Sequence, residues 1–452
     1  MFDLMILGGG PAGYVAAERA GKQGLSVALF EKKSLGGVCL NEGCIPTKAL
    51  LYSAKIYDNA RHADKYGVQT DTVRFDYVKM VARKNKVVRK LVLGIDAKMK
   101  QYQVTLVKGE ACIEGPTEAG FSIRCDETTY EGKNLLICTG SEAVVPPIPG
   151  IREAGDRVLT NREMLELKAC PASLVIIGGG VIGMEFASLY NSLGSTVTII
   201  EMLPEILGGL DAELAAMLRG IYEKKGVRIE LNAAVTRIEP DGGLVFVKEG
   251  VEQRVEAEKV LLSVGRRPVT AGFGLEKLGV AFSRSGITVD AHMRTNVLGV
   301  YAAGDVTGFS LLAHTASREA EVVVSNLCGP DDVMSYKAIP GVVYTNPEVA
   351  SVGLTEAAAE AAGLSFRSVK LPMAYSGRFV AENEGVNGLC KVVLDENDKL
   401  LGVHMLGNPC SELIFGACMA IEQGMSLSEL ERVVFPHPTV SEILKETLGV
   451  SR

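Results

Sequence analysis

No apolar run in the 452 residues approaches the length of a membrane span. The amino end lacks the basic and then apolar build of a secretory leader, since MFDLMILGGG goes straight from a short strand into a glycine turn. A basic block is missing too: 47 basic and 54 acidic side chains leave a net charge of −7, which speaks against a nucleic-acid partner. The ten cysteines are scattered, not densely spaced, so a disulfide-stapled secreted scaffold is not indicated. These absences point to a cytoplasmic protein with neither membrane nor nucleic acid as partner. Most of its cysteines are then reduced, and a disulfide that persists there is catalytic in preference to structural. What is present is ordinary globular composition, 47% hydrophobic and 22% charged. The chain is long enough for about three domains or more.

The stretch Gly36 to Lys48, GGVCLNEGCIPTK, draws attention first. Cys39 and Cys44 stand five residues apart, which on a regular helix means about 7.5 Å of rise. A disulfide needs Cα atoms about 4.4–6.8 Å apart, so an undistorted helix could not close this pair. Pro46 is tolerated only in a first helical turn, which predicts a helix beginning near Cys44 with Cys39 on an irregular segment leading in. The positive end of the helix dipole favours a thiolate there. A redox-active pair fits, although the bare spacing equally suits two buried or metal-binding cysteines.

The surroundings of this stretch carry more. Asp3 to Leu7 reads as an apolar strand, followed by Gly8, Gly10 and Gly13 in GGGPAG, an alanine-rich helix to about Lys22, and a strand Ser26 to Phe30 ending at Glu31. Such glycines allow a tight turn and close approach of a pyrophosphate to the helix N-terminus, while the acid accepts from a ribose hydroxyl. The pattern recurs: strand Leu174 to Ile177, then Gly178, Gly180 and Gly183 in GGGVIG, a helix, and strand Thr196 to Ile200 ending at Glu201. First glycine to acid is 23 positions in both copies (31 − 8 and 201 − 178). Two complete fingerprints imply two dinucleotides. In the second, Glu201 would repel a 2′-phosphate, and Met202 to Leu207 holds Glu205 but no Arg or Lys, so NAD is favoured over NADP.

Between and beyond the copies, a helix is predicted over about Phe75 to Gln101, and short strands at Val104 to Lys108 and Phe121 to Cys125. Asn134 to Ser141 is a strand running into Thr139 and Gly140, where backbone comes close to something flat or phosphorylated, or simply turns. Val145 to Gly150, VPPIPG, reads as a stiff linker. Arg228 to Val264 alternates like antiparallel strands and leads into SVGRRP. Val297 to Val306 reads as a strand delivering Asp305 to a turn, either as an ordinary cap or as a ribityl or ribose contact. From about Ala338 a separate α+β domain without a glycine fingerprint begins. It ends in FPHPTVSE, where two prolines hold His437 and Glu442 lies five residues on. Thr439 and Glu442 also fit a capping box, and His437 alone fits a packed surface histidine.

Taken together, GGVCLNEGCIPTK, GGGVIGMEFA, AAGDV, the LLAH segment and HPTVSE resemble the pyridine nucleotide-disulfide oxidoreductases over essentially the whole chain, nearest to the branch that oxidises dihydrolipoamide. The resemblance implies an α/β fold with two Rossmann-like dinucleotide-binding domains and a C-terminal α+β dimerisation domain. It places an FAD domain at 1–148, an NAD domain at 149–270, a central domain at 271–337 and an interface domain at 338–452. It implies that Cys39 exchanges with substrate while Cys44 faces the flavin, that Lys48 sits beside the flavin with Glu185 as partner, and that His437, oriented by Glu442, is the base serving the other subunit of a homodimer. Further cofactor contacts fall on Ala111, Ser141, Leu311, Leu312, Ala313 and His314, and on Val235 and Gly265. No metal is implied. The lipoyl group is expected on a separate lipoylated chain, since no lipoyl domain precedes the flavin domain. Phe435, Val38, Glu42, Arg318 and Ala320 depart from the family pattern without removing a group the chemistry needs. Related reductases that use NADPH are disfavoured by Glu201, and those with a C-terminal cysteine pair by the ending LGVSR.

Overall fold

The computed structural model describes residues 1–239 and 242–450. It divides into two compact units, the first made of Met1–Ala49, Val81–Val144 and Gly265–Ser335. Its centre is a parallel core: β1 (Phe2–Leu7) lies between β2 (Val27–Glu31) and the strand Thr128–Ile137, and β2 pairs with Thr105–Lys108. Leu4 to Leu7 are all buried, as a strand covered on both faces requires. Strands Ala111–Thr117 and Gly120–Cys125 extend the sheet antiparallel from Thr128–Ile137. Of the predicted strand Val297 to Val306, only Val300–Ala302 is extended, pairing parallel with Leu135 to Ile137. Gly304, at φ +83, then turns the chain away from the sheet. Helix α1 (Pro11–Lys22) has proline in its first turn. Its small buried residues, Ala12, Ala16, Ala17 and Ala20, let it pack closely against the helix Ala313–Cys328.

The second unit comprises Leu50–Met80, Val145–Val264 and the chain from Tyr336 on. Strands in the order Arg228–Glu230, Thr196–Ile200, Ser173–Ile177, Lys259–Leu262 and Val158–Leu159 form an all-parallel sheet. The antiparallel expectation for Arg228 to Val264 therefore holds only for Ala233–Ile238, Leu244–Lys248 and Val251–Val255. The two flanking strands are short and join the parallel sheet, which alternation alone does not distinguish. A five-stranded antiparallel sheet, Gly341–Val343, Val349–Gly353, Leu400–Leu406, Leu389–Asp395 and Phe366–Pro372, packs its apolar core against the helices Cys410–Gln423 and Glu442–Gly449. Lys391, on the fourth of these strands, is buried with its ammonium 2.9 Å from Asp211, Glu213 and Glu356. Asp211 caps the helix Ala212–Lys224 through the N–H groups of Glu213 and Leu214. Among the described residues no helix is long and apolar enough to cross a membrane.

Candidate active site

The two glycine turns repeat in geometry as they do in sequence. In the first, a Cβ on Gly8 (φ +103) would lie 2.2 Å from the Cys138 carbonyl oxygen, and one on Gly13 would lie 1.8 Å from that of Gly8. In the second, Gly178 (φ +102) and Gly183 are barred from a side chain at 2.6 Å by Ser263 and at 2.1 Å by Gly178. The middle glycines differ. A Cβ on Gly10 would meet only the Gly37 Cα at 3.9 Å, and one on Gly180 nothing within 4 Å. Their φ of −73° and −70° suits any residue. Packing explains the first and third glycines of each turn; the open space at the second is what a pyrophosphate approaching a helix N-terminus needs. Each acid is tied to its own turn. Glu31 accepts from the N–H of Gly9 at 2.8 Å and of Lys33 at 2.7 Å; Glu201 accepts from Gly179 at 2.6 Å and Leu203 at 2.7 Å. In the second turn Glu205 holds the guanidinium of Arg219 at 2.9 Å, so this nearby cation is already neutralised.

Cys39 lies not on an irregular lead-in but on a short helix, α2 (Gly37–Glu42), held by the Asn41 amide, which donates to Leu35 and Gly37 carbonyls. Gly43, at φ −148° and ψ −107°, breaks it, and α3 (Cys44–Arg61) starts at the second cysteine with Pro46 in its first turn. The break solves the spacing problem, since the two cysteines sit on different helices. They stand adjacent as a dithiol, and the Cys39 thiol is hydrogen-bonded to Cys44. That bond, burial and the charge of Cys44 push the Cys39 thiol far up, with Lys48 opposing. Tyr14 of α1 feels both sulfurs: burial raises its phenol most, then the charge of Cys39.

Asp305 opens a short helical turn, and its Oδ2 accepts from the Ser141 hydroxyl at 2.5 Å. Burial raises its carboxyl, opposed by Ser141 and the charge of Arg266. Arg266 in turn donates to the Ser141 hydroxyl at 2.8 Å and its carbonyl at 2.7 Å. Glu319, fully buried, accepts from Gly304 N–H at 2.6 Å and pins the same turn. The sequence reading misses Tyr14, Arg266 and Glu319, single positions without a motif. Thr139 donates to Val269 at 2.7 Å, and Gly140 turns at φ +72. Leu311 to His314 lie at the start of the helix Ala313–Cys328, with Leu312 as its cap residue. Ala111 is buried at the start of its strand. Gly265 (φ +115) accepts from Val144 N–H.

In the second unit, His437 Nδ1 is 2.9 Å from Glu442 Oε1, and Glu442 Oε2 accepts from Thr439 N–H at 2.9 Å. Of the expected Thr439 capping box, the Glu442 half forms, taking the Thr439 N–H, while the Thr439 hydroxyl half does not. Ser441 is the cap, Glu442 is the first helical residue, and the Thr439 hydroxyl donates to Pro436 and meets Ser441. Thr439 N–H and then His437 hold the Glu442 carboxyl below its ordinary range. With Nδ1 engaged, the exposed ring offers Nε2 outward. Phe435 packs on the apolar core. Val235 is half-buried in its antiparallel strand, and buried Glu185 accepts from Tyr344 N–H at 3.1 Å.

A dithiol and two dinucleotide turns define a flavin-dependent disulfide oxidoreductase. Residues 2–320 match the family model "Pyridine nucleotide-disulphide oxidoreductase" and residues 339–448 its dimerisation domain, so the chain belongs to that family. Its cofactors are FAD and NAD(H), which the bare middle glycines and tethered acids of the two turns fit. Among particular proteins, the chain is 39% identical to the mitochondrial dihydrolipoyl dehydrogenase of Pisum sativum, over 98% of this chain and 90% of that one. It is 40% identical to the dihydrolipoyl dehydrogenase of Thermus scotoductus, over 98% and 96%. The crystal structure of LpdA from Mycobacterium tuberculosis superimposes with a TM-score of 0.91 at 27% identity, covering 100% of this chain and 99% of that one.

Proposed function

We propose that the chain oxidises dihydrolipoyl groups carried on a separate protein to lipoyl groups, with NAD+ as final acceptor, as a homodimer in the cytoplasm. The observation that carries this reading is the dithiol itself, Cys39 hydrogen-bonded to Cys44 at the start of α3. The names of the pea and Thermus relatives support the same substrate. A dihydrolipoyl thiol attacks only as thiolate, and His437, held through Nδ1 by Glu442, takes the proton on Nε2. In the dimer this base serves the cysteines of the other subunit. The substrate thiolate attacks the sulfur of Cys39 in the oxidised pair; the S–S bond breaks and its electron pair leaves on Cys44. The second substrate thiolate then attacks the substrate sulfur of this mixed disulfide, closes the lipoyl ring and releases Cys39. Cys39 takes up a proton and Cys44 keeps the charge, stabilised by the N-terminus of α3. FAD, when bound, supplies the two-electron relay between this dithiol and NAD+. Around it, Gly8, Gly10, Gly13, Glu31, Ser141 and Asp305 would hold the dinucleotide, and Lys48 of α3 would serve its flavin ring. Gly178, Gly180, Gly183 and Glu201 hold NAD. The test is a side-by-side assay of NADH and NADPH against lipoamide and glutathione disulfide. NADH with lipoamide is expected to be preferred, and preference for NADPH with glutathione disulfide would overturn the reading.

A further inference from the structure

α4 (Tyr77–Gln101) carries eight Lys and Arg against one Asp, a net +7 in a chain whose total is −7. The other residues therefore sum to −14 (−7 minus +7), and the whole-chain balance hides a basic block that the sequence reading found missing. One side of the helix is buried through Met80, Ile95 and Met99. Several of its charges are answered: Lys79 by Asp76, Lys98 by Glu18 and Lys100 by Asp96. Lys86, Arg89 and Lys90 are exposed and have no acidic partner among the described residues. They lie three and four apart on one face, where like charges repel. No ion pair among the described residues offsets that repulsion. The helix is also joined to the dithiol helix, because Arg83 donates to the Ala49 carbonyl of α3 at 2.9 Å, one residue beyond Lys48.

We propose that the Lys86, Arg89 and Lys90 face docks an acidic surface of the protein domain that delivers the dithiol substrate. This rests on the function proposed above and adds where the carrier binds. A protein partner is favoured over a bilayer because the apolar side of α4 is used in the core, whereas an interfacial helix buries that side in lipid. It is favoured over nucleic acid because three cations make a short footprint and the remaining −14 repels a longer polyanion. Screening confines the attraction to about 8 Å at physiological salt, so a small local patch suffices despite the overall sign.

The experiment compares the intact holoenzyme with a K86E/R89E/K90E variant on two substrates: a reduced recombinant lipoyl domain with an acidic surface, and free dihydrolipoamide. The reversal is expected to lower kcat/KM for the carried group about tenfold while free dihydrolipoamide stays within about twofold. A K86Q/R89Q/K90Q variant should fall between. The wild-type rate on the domain should drop with added salt, and the reversed variant should lose that dependence. Equal losses on both substrates, or none on either, would overturn the proposal. So would an unchanged domain rate accompanied by lost binding to phosphatidylglycerol vesicles or to a DNA duplex. Failure of the wild type to turn over free dihydrolipoamide would instead overturn the function on which the proposal rests, and the proposal with it.

Discussion

Gly180→Ala separates a glycine kept for a ligand from one kept for the fold. The backbone at Gly180, φ −70° and ψ −174°, is open to alanine, and the new methyl would meet no protein atom within 4 Å. As the cap residue of Val181–Ser192, alanine costs about 0.5 kcal/mol against glycine. Reduced freedom of the unfolded chain returns about 0.4–1 kcal/mol. The two nearly cancel, so stability without nucleotide should change by no more than about 0.5 kcal/mol. The methyl instead fills the space through which the pyrophosphate reaches the helix N-terminus. Loss of one charge-assisted hydrogen bond is worth about 1.5–3 kcal/mol, which at about 1.4 kcal/mol per decade weakens NADH binding by roughly 10- to 100-fold. NADH titration, flavin content by absorbance and a denaturant midpoint read the three quantities separately. FAD content should be unchanged, since the first turn is untouched. Gly183→Ala is the contrast, for its Cβ would stand 2.1 Å from the Gly178 carbonyl oxygen and must displace the turn. NADH affinity within twofold of wild type in Gly180→Ala, or a collapsed midpoint, would refute the assignment of that space.

Cys44→Ser should retain FAD yet lose lipoamide reduction by at least about 1000-fold, the nucleophile and leaving group being gone; turnover near wild type contradicts the scheme. His437→Gln should slow thiol exchange about 100-fold or more while NADH-driven reduction of an artificial flavin acceptor stays near wild type, because the ring acts only on the thiol. The depressed Glu442 carboxyl contributes above the unfolded Glu value and is lost only as pH falls through its lower folded value. The stability lost in Glu442→Gln should therefore be present at neutral pH and disappear in acid below that folded value, and a denaturant midpoint whose loss persisted there would contradict it. Lys391→Met strands buried Asp211 without its cation and should cost about 3–5 kcal/mol, read from a urea midpoint, a loss below about 1 kcal/mol going against it. The raised Lys391 makes its contribution fully present below the unfolded Lys value and lost as pH climbs through the folded one.

What the chain shows before folding is whatever recurs at fixed spacing. Gly8, Gly13 and Glu31 are legible because each answers a backbone requirement a known distance away, Gly10 because it keeps open space at the helix N-terminus between them, and the second copy repeats the set. Cys39 is misplaced because a helix of six residues, ended by Gly43, leaves no periodic signal. Strands Arg228–Glu230 and Lys259–Leu262 are misassigned because three or four residues are too few to separate alternation from the burial of a parallel strand, and Arg228–Glu230 is a half-exposed edge strand. Arg266 is invisible for another reason: its partner Ser141 stands 125 positions earlier, and only the antiparallel pairing of Arg266–Pro268 with Ser141–Ala143 brings them together. The basic face of α4 is missed by summation, since a net charge over the chain averages +7 on one helix against −14 elsewhere.

The tethered acids explain why spacing carries so much here. A carboxylate at the end of a strand could rotate freely, yet Glu31 and Glu201 each spend one oxygen on a backbone N–H of their own turn, Gly9 or Gly179, and the other on a backbone N–H two residues on. Both bonds form within a segment whose length is fixed by one strand, one turn and one helix. The carboxylate is therefore placed before any ribose arrives, and the ordering cost is met in folding, not in binding. The same tether makes coenzyme choice rigid: Glu201 cannot swing from a 2′-phosphate without giving up N–H bonds of 2.6 and 2.7 Å. Arg219, the cation that could answer such a phosphate, is held by Glu205 and Glu223. Preference for NAD thus resides in hydrogen bonds internal to the turn as much as in the charge that faces the ligand.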